Sequence, residues 1–124
     1  MRILVLDNDT SRLKDFCEKL IGHSVTTTMT ATQTIQALTD NDFDVVSLDH
    51  DLGDQVMVDS GPGTGWEVAK WLSLNPDRRP QIVLIHSFNN KGAAAMQRLL
   101  PRSIYAPGLW LLSSEDLLKL LPVG

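Results

Sequence analysis

The chain has 124 residues, 43% hydrophobic and 21% charged, which fits one globular domain spanning 1–124 and excludes a disordered or fibrous chain. Its one cysteine, Cys17, excludes an internal disulfide and any multi-cysteine metal site. The net charge of −4, from 15 acidic against 11 basic residues, argues against a grip on extended nucleic acid but allows a small phosphate-bearing ligand. The start, MRILVLDND, turns acidic after a few apolar residues, so neither a signal peptide nor a membrane span is read and a cytoplasmic protein is expected.

Apolar runs alternate with helical periodicity. Arg2–Asp7 (RILVLD) suits a strand covered on both faces of a parallel sheet. Asp9 or Thr10 can cap the next helix, in which Leu13, Phe16, Cys17 and Leu20 share one face; Cys17 is expected in the core. Gly22 ends that helix, and His23 is expected as an exposed turn residue. Ser24–Met29 reads as a second strand near an edge, Thr32–Thr39 as a short helix with Ile35 and Leu38 inward, and Asp44–Asp49 as a third strand. Gly53–Gly63 is the one long irregular loop, expected to cover a site. Thr64-Gly65-Trp66-Glu67 has capping-box spacing and opens a helix through Leu72. Gln81–His86 is the fourth strand, Asn90–Leu100 a helix with Ala93, Met96 and Leu100 on one face, and Ser103–Ala106 a brief fifth strand. A last helix runs over Glu115–Leu121 behind Ser113 or Ser114. Trp66, Trp71 and Trp110 are expected in packing, with Trp110-Leu111-Leu112 a candidate apolar contact surface. The expected fold is a single-domain α/β doubly wound five-stranded parallel sheet.

Ligands of such sheets bind at the carboxyl ends of the strands. Strand one ends in Asp7-Asn8-Asp9, strand three in Asp49-His50-Asp51, and strand four in His86-Ser87-Phe88-Asn89. Carboxylates at 7, 9, 49 and 51 on one sheet edge repel by several kcal/mol per pair at about 4 Å. Either some are protonated or a divalent cation offsets them: oxygen ligands favour Mg²⁺, and His50 or His86 would tilt the site toward Mn²⁺. Ordinary alternatives stand beside these roles. Asp9 and Asn89 are good helix caps, and His86 can be a buried histidine satisfied by its neighbours.

ILVLDND, VVSLDHDLG, a glycine ahead of a helix and IVLIHS resemble a receiver domain of the response-regulator type, from Arg2 to about Leu121. That resemblance implies a flavodoxin-like topology, Mg²⁺ on the first-strand acids and a phosphoryl-accepting Asp49, with Ser87 and Gly65 at matching positions. The chain departs from that pattern at Asn8, where a second acid is usual, and at Ile104-Tyr105-Ala106-Pro107-Gly108, where no lysine ends strand five; Lys119 lies too far on to substitute. The ordered segments L-D-H-D-L-G, T-G-W-E-V-A-x-W-L and I-H-S-x-N-x-x-G-x-x-x-M are similar to the cyclic-phosphate-processing receiver family, through Asp49-His50-Asp51, His86-Ser87, Asn89, Gly92 and Met96. The resemblance implies an association with RNA repair and nucleotide systems. The activity expected is metal-dependent hydrolysis of a cyclic phosphate on a nucleotide or an RNA end. Asp7, Asp9, Asp49 and Asp51 would hold the metal, His86 and His50 would act as acid and base beside Asp49, and Ser87, Asn89 and Lys91 would contact the phosphate. A non-hydrolytic cyclic-nucleotide binding module and an atypical phospho-accepting receiver are the alternatives.

Overall fold

The computed structural model describes residues 1–52 and 58–121. Five strands form one parallel sheet in the order β2-β1-β3-β4-β5. They are β1 (Arg2–Leu6), β2 (Ser24–Thr28), β3 (Val45–Leu48), β4 (Ile82–Ile85) and β5 (Ile104–Tyr105). The helices are α1 (Thr10–Lys19), α2 (Ala31–Asp40), α3 (Gly65–Leu74), α4 (Asn90–Leu99) and α5 (Ser114–Leu118), with 3-10 turns at Pro76–Arg78 and Leu109–Leu111.

Successive strand side chains point to opposite faces, so the near-continuous apolar runs feed two cores. On one face Leu4, Leu6, Val46, Leu48, Val83 and Ile85 pack against Leu38, Leu72 and Met96 of α2, α3 and α4. On the other, Ile3, Val5, Val45 and Leu84 meet Phe16 of α1, Trp110 and Leu117 of α5. Each fully buried aliphatic or aromatic side chain in these layers contributes roughly 1.5–3 kcal/mol. Trp66 and Trp71 pack against the first core as expected.

The helix starts follow local chemistry. Asp9 caps α1 by accepting from the Ser11 and Arg12 amides, Thr30 caps α2, Asn89 caps α4 and Ser113 caps α5. At α3 the capping box is altered. Thr64 Oγ1 turns back to donate to the Gly61 carbonyl at 2.8 Å, and Glu67 Oε1 accepts from the Gly63 amide at 3.0 Å. The box therefore closes on the turn before the helix rather than on the first helical turn. Arg78 satisfies the end of α2, donating to the Leu38 and Asn41 carbonyls.

Three expectations need correction. Cys17 is exposed. Leu13, Phe16 and Leu20 already fill the contact between α1 and the sheet, and Cys17 falls at its rim, in a surface groove with Thr27 and Met29 beside the edge strand β2. His23 is half-buried, its Nδ1 3.1 Å from the Met1 amino group. Trp110 is only 6% exposed because its indole closes the second core, while Leu111 stands outward at 70%. The three-residue run is thus not one contact surface.

Candidate active site

The register of the sheet builds the site. Leu6, Leu48 and Ile85 lie side by side across β1, β3 and β4. One residue further on, the ladder still holds, with the Asp49 amide on the Leu6 carbonyl at 3.1 Å and the His86 amide on the Leu48 carbonyl at 3.0 Å. Asp7, Asp49 and His86 therefore stand in a row at the carboxyl edge, on the side of the sheet that carries α1 and α5. Each offers a ligand atom within 4.8 Å of the others, and all three are buried. Two carboxylates and an imidazole at that spacing suit a divalent cation that accepts oxygen and nitrogen ligands.

For His86 the sequence allows an acid or base, or a buried histidine satisfied by its neighbours. It is fully buried, with Nδ1 2.6 Å from Ser47 Oγ and Nε2 3.0 Å from Asp7 Oδ2. Its ring packs against Phe16 and Trp110 at centroid distances of 5.1 and 5.7 Å. Burial lowers its pKa, while the hydrogen bond and charge of Asp7 act in the opposite sense. A neutral ring has one N–H, and a carboxylate can only accept. Nε2 therefore donates to Asp7 and Nδ1 accepts from the Ser47 hydroxyl. In this arrangement His86 positions Asp7, with no nitrogen turned to a substrate.

Asp49 is 3% exposed, and its Oδ1 accepts from the His50 amide at 2.9 Å. Burial and then the charge of Asp7 push its pKa up to about 7, with Arg12 and the His50 amide opposing. Asp7 Oδ1 also accepts from the Asp9 amide at 2.8 Å. Asp9 itself is exposed, and its Oδ1 is taken up by the cap of α1. It stands outside the Asp7–Asp49–His86 group.

The second aspartate and histidine build a latch next to this row. His50 is fully buried; its Nδ1 donates to Asp51 Oδ1 at 2.8 Å and its Nε2 lies 2.9 Å from Ser60 Oγ. Asn89 Nδ2 donates to the same Asp51 oxygen at 3.0 Å and to the Val58 carbonyl at 2.9 Å, and Asn89 Oδ1 caps α4 on the Gly92 amide. Ser87 Oγ accepts from the Asn89 amide at 3.0 Å, which does not consume its hydroxyl proton. Two glycines make room for this packing. A Cβ on Gly65 would sit 1.8 Å from the Asp49 carbonyl oxygen, and one on Gly92 would sit 2.5 Å from the His50 ring.

Asp51, His50 and Asn89 are thus brought together, as are Asp7, Asp49 and His86. Lys91 joins neither group. It is exposed and lines a groove of about 560 Å³ with Arg98, on the outer side of the latch residues Ser60 and Asn89. The expected cover by Gly53–Gly63 falls partly on 53–57, which lie outside the described residues.

The sequence reading overlooked Arg12. Its Nη2 lies 3.3 Å from Asp7 Oδ1 and 3.9 Å from Asp49 Oδ2, its Nε 3.5 Å from Asp9 Oδ2, and its Cζ 4.7 Å from the centre of the Trp110 ring. Nε is buried without a hydrogen-bond partner, which costs about 1–3 kcal/mol. One signal was available. Arg12 is the third residue of α1, where a cation opposes the helix dipole and needs another reason to be there.

Parallel order, strand-end acids and helices on both faces define the receiver fold. Among solved structures, a CheY-like response regulator receiver domain protein from Methanospirillum hungatei JF-1 superposes with a TM-score of 0.73 at 19% identity, over 95% of this chain and 87% of that one. Vibrio cholerae chemotaxis protein CheY4 gives 0.72 at 18% identity over 95% and 92%. A sensor protein from Polaromonas sp. JS666 gives 0.74 at 16% over 96% and 90%. The sequence pattern of the cyclic-phosphate processing receiver domain matches residues 2–102, and the chain belongs to that family. No curated protein matches it. Among the described residues, no helix is long and apolar enough to cross a membrane.

Proposed function

We propose that this domain binds a small ligand bearing a cyclic phosphate at the ends of β1, β3 and β4 and hydrolyses it with a divalent cation, Mg²⁺ or Mn²⁺. The observation that carries this reading is the buried row Asp7, Asp49 and His86, flanked by the Asp51–His50–Asn89 latch, in a chain of the cyclic-phosphate processing family. The cation would be held by Asp7 and Asp49, with His86 holding Asp7 in place from behind. When bound it offsets carboxylate repulsion and acidifies water.

In the reaction, the oxygen of water forms a new bond to phosphorus, one ring P–O bond breaks, and the departing oxygen takes up a proton as the water gives one away. Asp49 would act as a ligand of the cation, whose charge would oppose the upward pull of burial and Asp7 on its carboxyl, and the proton would pass through water. His86 orients Asp7, and His50 orients Asp51, so both histidines act through a carboxylate. Ser87 is assigned a hydrogen bond to a phosphate oxygen; Asn89 holds the wall of the site. The ligand is a cyclic nucleotide or the cyclic-phosphate end of an RNA rather than extended nucleic acid, in keeping with the net charge of −4, and the setting is cytoplasmic.

A second reading is phosphorylation of Asp49, favoured by the receiver fold and by the place of Asp49 at the end of β3. A third is binding without turnover. The deciding experiment supplies Mg²⁺ or Mn²⁺ and a panel of 2′,3′-cyclic nucleotides, 3′,5′-cyclic nucleotides and cyclic-phosphate-ended RNA, with Asp49→Ala as control. Metal-dependent ring opening that the control lacks is expected. Absence of turnover with both metals would reject hydrolysis of these substrates, and phosphorylation by acetyl phosphate would then favour the second reading.

A further inference from the structure

The segment that leaves β4 has its polarity inverted. His86, Ser87 and Asn89 are buried to 6% exposure or less, while the aromatic side chain among them, Phe88, is 53% exposed. Burying a phenyl ring is favourable, so one left open at a strand end calls for a reason. Among the described residues, no other phenylalanine, tyrosine or tryptophan is classed as exposed. The ring is nonetheless held in place. It meets Trp110 in a T-shaped contact at 5.3 Å and 77°, and its outer edge stands over Gly108, where a Cβ would lie 3.5 Å from Cζ and 3.6 Å from Cε1. Leu111, 70% exposed, reaches the same point from the other side, its Cδ1 3.6 Å from that Cβ position.

The ring also lies beside the site. Trp110 touches His86 at 5.7 Å as well as Phe88, and His86 holds Asp7, so Phe88 is on the side of the sheet that carries the acidic row. Ser87, assigned a phosphate oxygen above, is the residue before it, one Cα step of about 3.8 Å away. A ligand with its phosphate at the strand ends therefore has this ring as a neighbour. A flat apolar face, backed by packing and open to water, suits a second flat ring, and stacking asks for no hydrogen-bond partner. Phe88 and Leu111 give a surface on the scale of one nucleobase, whereas a stable protein interface takes roughly 800 Å² on each side. We propose that Phe88, with Leu111 beside it, is the base-stacking platform of this site, so that a nucleoside cyclic phosphate is preferred over a cyclic phosphate that carries no base. This rests on the reading above for the class of ligand but not for the hydrolysis.

The test uses the intact chain with Mn²⁺ and two probes: a 2′,3′-cyclic purine nucleotide and the methyl riboside 2,3-cyclic phosphate, which keeps the sugar and phosphate ring but has no base. Sulfur replaces one non-bridging oxygen in each to slow ring opening, and binding is read by calorimetry. The parent chain should bind the nucleotide more tightly. Phe88→Ala should weaken nucleotide binding about 5- to 100-fold and leave the riboside within about twofold. Phe88→Leu, which keeps apolar bulk without a flat face, should fall with Phe88→Ala, and Phe88→Tyr should stay near the parent. If Phe88→Ala does not fold, the leucine and tyrosine variants carry the comparison. Equal binding of the two probes by the parent, or nucleotide binding unchanged within about twofold in Phe88→Leu, overturns the proposal. So does a dimer of the parent chain that Phe88→Ala dissociates with nucleotide binding intact, which would make the ring a contact between copies. No binding of either probe at millimolar concentration would overturn both this proposal and the class of ligand above. Turnover of the oxygen nucleotide by Phe88→Ala with the parent KM would overturn the role of Phe88 and leave hydrolysis standing. Phe88-dependent nucleotide binding without turnover would do the reverse.

Discussion

Between pH 4 and 7 the folded chain holds a proton on Asp49 that the unfolded chain, with an ordinary carboxyl near 3.8, has already released. Folding is therefore favoured by this group below its unfolded pKa and loses that support as pH rises to about 7. Asp49→Asn removes the dependence. Urea unfolding at several pH values should show the variant gaining on the parent chain by up to about 4 kcal/mol between pH 4 and 8. A constant difference would contradict the buried, Asp7-repelled environment. His86 acts oppositely, because its lowered pKa means that the unfolded state alone takes up a proton as pH falls through its ordinary range. Ser47→Ala deprives the buried His86 Nδ1 of its donor and should cost about 1–3 kcal/mol in the same assay.

At the scale of elements, Gly65 and Gly92 are where α3 and α4 come closest to the segment after β3. Gly65→Ala meets backbone and should destabilise by about 3 kcal/mol or more; Gly92→Ala meets only the His50 ring and should cost about 1–3 kcal/mol, read as thermal melting shifts. Equal and negligible shifts would mean that neither contact is as close as described. These glycines were visible in the sequence as members of a pattern, but what each one touches was not, since the partner lies on a distant segment. The strands β1, β3 and β4 were legible because buried parallel strands are continuous apolar runs, and the caps Asp9, Asn89 and Ser113 because a helix start needs a side-chain acceptor. The strand-end acids could be listed from the sequence, but their sorting into two groups depended on register. Asp7 and Asp49 share a row with His86, Asp51 pairs with His50, and Asp9 is spent on its helix. Arg12 escaped notice because its role comes from folding back across a helix start, which periodicity does not record.

For the whole molecule, a ligand that binds only the folded chain raises its stability by mass action. A divalent cation at 100 times its dissociation constant adds about 2.7 kcal/mol. Addition of Mg²⁺ or Mn²⁺ should therefore raise the melting temperature by several degrees, reversibly with chelator, and Asp49→Ala should lose the shift. No shift with either ion would remove the metal from the proposed reaction. The sheet also fixes where such coupling can travel, because the acidic row faces the same layer as α1, Trp110 and α5.

Cys17, the sole thiol of the chain, lies on the surface of α1. It gives the molecule a chemical valence of one. An oxidant can join two copies and no more, so disulfide-linked material stops at the dimer. A maleimide dye attaches at a single defined place, on the same helix as Arg12, with no engineering of the sequence.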